Sequence, residues 1–145
     1  MKRIFSLLLI TILTAGIMYA SNNKETFTFK STQYAVKEYD TELAQWSDWS
    51  ELEDDQVLIV YNFKKLFVEV FSNVKQEYHV VGVKFLEEEN LLQANEYNPG
   101  IANFDMECVD ETGEKLNLKH RMEDGITKLY IEFPTVQVVY YLQGA

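Results

Sequence analysis

Few side chains in this sequence are suited to covalent or metal chemistry, and they are scattered. The chain has two histidines, His79 and His120, and one cysteine, Cys108. A thiol becomes a nucleophile only where a base or cation favours its thiolate. Cys108 shares the parity of Met106 along an alternating run, which predicts a small buried hydrophobe opposite Leu116 rather than a reactive group. His120 is the polar residue of most interest. It falls on an apolar face between Phe104 and Leu129, where an imidazole either serves as a ligand handle or is satisfied by a carbonyl or a tyrosine hydroxyl. His79, alternating with Tyr78 and Val80, is expected on the opposite, wet face. Two histidines and one cysteine on separate strands provide no zinc spacing. There is no Gly-x-Ser-x-Gly elbow, no phosphate-cradling glycine loop and no His-Glu-x-x-His. The reading is therefore a non-enzyme with no cofactor and no metal.

The segment from Trp46 to Asp55 is the second place to look. Two tryptophans three apart are mixed with Asp48, Glu51, Glu53, Asp54 and Asp55. Indoles so placed could close a barrel mouth over an apolar ligand or stack on sugars; alternatively they plug the end of a core. The acids lack the alternating Asp-x-Asp-x-Gly spacing of a calcium loop and read as a solvated loop.

Period-two alternation dominates the chain and predicts seven or eight half-buried strands. Phe27 and Phe29 open the first, which continues after a break through Tyr34 and Val36. Residues 57–62, 66–71 and 77–85 give the next three, and 104–109, 116–122, 128–133 and 136–142 the last four. Pro99 and Pro134 fall in loops, as their missing ladder donor requires. Asp124-Gly125 signals a two-residue type I′ hairpin, which sets Glu123 opposite Ile126, His120 opposite Leu129 and Leu118 opposite Ile131. A three-residue loop at Glu111-Thr112-Gly113, with Gly113 left-handed, pairs Cys108 with Leu116, Met106 with Leu118 and Phe104 with His120. Both turns put every apolar partner on one face, which a one-residue slip would destroy. Sequential antiparallel strands with short connections make a meander, and a meander of this length is expected to close as an up-and-down barrel, a two-sheet sandwich being the alternative.

The run Trp46-Ser47-Asp48-Trp49, the hairpin from Leu58 to Val70, Gln76-Glu77-Tyr78 and Cys108-Val109-Asp110-Glu111-Thr112-Gly113 together resemble a layout of small exported bacterial β proteins of unassigned function. That resemblance implies no activity. The likeness to lipocalins is architectural only: their Gly-x-Trp signature is absent, since neither Trp46 nor Trp49 has glycine two residues before it.

Address and composition set the remaining bounds. Lys2 and Arg3, the apolar stretch from Ile4 to Met18 and Ala20 read as a signal peptide over residues 1–20, leaving a single β domain over 21–145, periplasmic or extracellular. Its removal takes the formal charge from -10 to -12, because it carries two bases and no acid. Such a field disfavours nucleic acid and anionic membrane surfaces. One cysteine permits no internal disulfide, so stability must come from packing.

Two functional expectations follow. The first is a binding barrel for a small apolar or amphipathic ligand, contacted by Trp46, Trp49, Phe104, His120 and Leu129. The alternative is a protein-interaction or inhibitor module with a filled core, acting through its acidic loops or through Phe67 and Phe71, two outward phenylalanines that could also form a homodimer contact. The long connection 86–102, with Glu87-Glu88-Glu89 at its start, is a further candidate for a functional loop.

Overall fold

A computed structural model describes residues 26–86 and 103–144 of the chain. The expected signal peptide with its cleavage site, and all but the first residue of the 86–102 connection, lie outside the described residues. The described chain is all strand: β1 (Thr26–Asp40), β2 (Gln45–Trp46), β3 (Glu53–Asn62), β4 (Phe67–Phe71), β5 (Lys75–Phe85), β6 (Phe104–Val109), β7 (Lys115–Glu123), β8 (Ile126–Glu132) and β9 (Val136–Gly144). Each strand from β3 to β9 pairs antiparallel with the next, and β1 pairs with both β3 and β9. This is an up-and-down barrel of eight strands, with β2 added at the far end of β1. Closure leaves the ring without a free edge strand, which is how a meander of this length avoids templating aggregation.

The two hairpins read from the sequence set the registers found. Cys108 faces Leu116, Met106 faces Leu118 and Phe104 faces His120, while His120 faces Leu129 and Leu118 faces Ile131. The turns have the backbone their residues require: Asp124 and Gly125 have φ of 54° and 78°, and Gly113 has φ of 90°. Positive φ at both central positions matches the twist of the flanking strands.

The barrel is solid in the middle. Eighteen inward residues form one cluster, none more than 8% exposed, and Ile59, Tyr61, Val68, Val70, Met106, Leu118 and Leu129 are at 0%. A water-sized void would leave its walls exposed, so the chain packs its interior with side chains rather than enclosing a chamber. Burial of each large aliphatic contributes about 1.5–3 kcal/mol, enough in sum to hold the fold without a disulfide. Many outward positions are polar, with ion pairs that include Arg121–Asp105 at 2.7 Å, Lys119–Glu132 at 3.1 Å and Lys128–Glu123 at 3.2 Å, while the outer faces of β3 to β5 also carry Leu58, Phe67, Phe71 and Val81. A packed apolar interior is the reverse of the polar lumen of a membrane-spanning barrel.

Three local features depart from simple alternation. A bulge between Ser31 and Gln33 inserts an extra residue in β1. Phe27, Phe29 and Ser31 point inward before it, Tyr34 and Val36 after it, so Ala35, Lys37 and Tyr39 face outward. A second bulge lies between Val80 and Gly82 in β5. Leu66 is a turn residue with φ of 62°, 43% exposed, and not the first residue of a strand as its apolar character suggested.

Strand direction sorts the connections into two poles. The β1–β3, β4–β5, β6–β7 and β8–β9 links lie at one, and the β3–β4 and β7–β8 turns at the other. The first carries Asp40, Glu42, Asp48, Glu51, the start of β3 at Glu53-Asp54-Asp55, and Asp110, Glu111 and Glu114. The second carries Lys64 and Lys65 in its β3–β4 turn and Asp124 in its β7–β8 turn. Among the described residues, the links at the first pole are therefore the more acidic.

Candidate functional site

Of the five residues expected to meet a ligand, the structure brings three together inside the barrel. The rings of His120 and Phe104 stack at 4.7 Å, 17° from parallel, and Leu129 is the cross-strand partner of His120 on the other side. Nδ1 of His120 is hydrogen-bonded to the Tyr61 hydroxyl at 2.8 Å. Phe29 lies 5.8 Å from the same imidazole. His120 is 1% exposed, and burial, with the charge of Arg121 beside it, pushes its pKa down to about 3. Burial likewise pushes the Tyr61 phenol well up. Both groups are therefore neutral at neutral pH, and the hydrogen bond between them removes the cost of burying either alone. Tyr61 belongs to no motif; its strand parity alone marks it as inward. The cluster is a satisfied polar pair in a packed core.

Trp46 and Trp49 are elsewhere, which corrects the expectation that they line the interior, cap a mouth or plug an end. Both lie on the outer wall near the acidic pole. Trp46 pairs with Tyr39 across β1 and β2, their rings 5.5 Å apart edge to face. Trp49 is 37% exposed and rests 6.0 Å from the ring of Tyr130, which points outward because its neighbours Leu129 and Ile131 are buried. In the same outward row, Ala35 and Val139 are only 3% and 4% exposed. The 46–50 run is thus a strap over the outside of β1, β9 and β8, and it covers them.

Two serines hold the strap. Ser47 donates its N–H to the Glu38 carbonyl at 2.8 Å, and its Oγ accepts the Glu38 N–H at 3.0 Å. Ser50 repeats the arrangement on Val36, at 2.8 and 3.0 Å. The serines are three apart and their partners two apart, so the excess chain, Asp48-Trp49, arches outward between two pinned points. On the wall beneath, the Lys37 ammonium lies 4.8 Å from the centre of the Trp49 ring and 5.6 Å from that of Trp46. Sequence reasoning missed Ser47, Ser50, Lys37 and Tyr130; the Ser-Asp-Trp-Ser spacing was the available signal.

The outward pair Phe67 and Phe71 is half-buried and already engaged within the wall. Phe67 packs edge to face on His79 at 5.1 Å, and Phe71 lies under the Lys75 ammonium at 5.3 Å. Lys75 in turn bridges Glu69 and Glu77, at 3.1 and 3.0 Å. Cys108 is 1% exposed, and burial pushes its thiol up to about 12, which leaves it protonated and unreactive. Among the described residues no group of three or more His, Cys, Asp or Glu side chains is arranged to hold a metal ion. Comparison with protein-family models, with curated proteins and with solved structures returned no match.

Proposed function

We propose that this chain is an exported, non-enzymatic protein-interaction module: a solid barrel that presents an acidic pole to a partner of basic character. The observation that carries the reading is the density of acids in the described links of one pole, over an interior already filled by its own side chains. A chain that carried a small ligand would need volume where Phe104, His120 and Leu129 are in contact. Phe67 and Phe71 are half-buried, with part of each ring already covered by His79 and Lys75. The acidic loops need no such volume, and their field would both steer a cationic partner and suppress acidic ones. Nothing in the arrangement of His120 or Cys108 favours catalysis, since one is neutral and enclosed and the other is held as a thiol.

Native mass spectrometry of the protein produced from its full-length precursor tests this. A bare chain, or one that carries a discrete protein partner lost on raising the salt, is expected. A small mass excess that survives salt and vanishes on denaturation would overturn the proposal in favour of an interior ligand.

A further inference from the structure

The strap holds an aromatic pincer that the acidic pole alone does not require. Two indoles, fixed by Ser47 and Ser50, converge on one ammonium, that of Lys37. Convergent aromatic faces attract cations through the negative face of the ring quadrupole. The surroundings increase that preference: between residues 36 and 55 the chain has eight acids and a single base, Lys37 itself. Trp49 nevertheless stays more than a third exposed, on an arch whose two ends are tied down, so its indole is presented without the entropy cost of ordering a free loop. Lys37 is held there by a flexible stem and has no carboxylate partner among the described salt bridges.

We infer that Trp46 and Trp49 form a clamp for a lysine or arginine side chain of a basic polypeptide, and that Lys37 is the resident cation such a side chain displaces. The inference rests on the acidic-pole reading and names the point at which the partner docks. The indoles supply the anchor, and the acids around them supply attraction and approach. The occupant is a basic polypeptide rather than a sugar because the pincer already holds an ammonium and the surrounding charge selects for another.

The test is a titration of the isotope-labelled protein with deca-lysine at physiological ionic strength, followed through the two indole N–H signals, with deca-glutamate as control. Deca-lysine is expected to shift both indole signals, and Trp49→Ala to weaken binding about fivefold or more, with Trp49→Phe close to the parent. Lys37→Met should tighten binding about two- to fivefold, and more than Lys115→Met, which removes the same charge from the same pole without touching the clamp. Binding with unmoved indole signals and no effect of Trp49→Ala would overturn the clamp and leave the acidic pole standing. No binding by any variant would overturn both.

Discussion

The buried His120–Tyr61 pair makes the stability of this barrel depend on pH in a way that can be calculated. In the unfolded chain His120 has an ordinary pKa near 6.5, and in the folded barrel burial lowers it to about 3. The folded state therefore excludes a proton that the unfolded state accepts. The stabilising effect of the neutral ring is present above the unfolded value and is lost as pH falls towards the folded one, at about 1.4 kcal/mol per pH unit through that window. Between pH 7 and pH 5 the loss from this residue is about 2 kcal/mol. Replacing both partners, Tyr61→Phe with His120→Leu, removes the proton linkage and leaves no orphaned polar atom. Tyr61→Phe alone strands Nδ1 of His120 and is expected to cost about 1–3 kcal/mol at pH 7. Urea unfolding at pH 7 and pH 5, on the parent and the double variant, measures the difference. The parent should lose about 2 kcal/mol more than the double variant over that interval. Equal losses would refute the reasoning, since they would mean that the folded core admits the proton or water.

Further outcomes follow from the turns and the thiol. Leu66→Gly is expected to stabilise by about 0.5–1 kcal/mol, because release of the left-handed strain at φ of 62° exceeds the added freedom of the unfolded chain. Gly125→Ala, at φ of 78°, should destabilise by about 1 kcal/mol; thermal melts of the two variants would move in opposite directions. Cys108 should resist a thiol reagent in the folded barrel at neutral pH and react rapidly in denaturant, and fast labelling of the native protein would contradict its enclosure.

The parts of the fold legible in the sequence are those governed by local chemistry. Asp124-Gly125 and Gly113 require particular backbone angles, and from those two turns the register of β6, β7 and β8 follows by counting. The bulge in β1 was less accessible. Its trace is the five-residue step from Phe29 to Tyr34, where alternation changes phase within the polar run Ser31-Thr32-Gln33. The change of phase at the bulge turns Lys37 and Tyr39 outward, and β1 runs beyond Val36 to Asp40. The tryptophans were misplaced for a related reason. An indole is apolar enough to belong to a core and polar enough at its edge to lie on a wall, so composition alone does not choose between them. The choice is made by Ser47 and Ser50, whose bonds go to backbone atoms of a strand nine and fourteen residues earlier. In contrast, the placing of His120 with Phe104 and Leu129 was read correctly, while the tyrosine that satisfies it sits 59 residues earlier and nothing nearby in sequence points to it.

The pairing of β1 with β9 also governs how the molecule can be attached to anything else. Thr26 and Gly144 both lie at the pole opposite the β1–β3 link and its tryptophan arch, on neighbouring strands. A tether, fusion or surface linkage made through either flank would hold the barrel by its base, like a lamp on a stalk, with the acid-rich rim and its tryptophan arch directed away from the support.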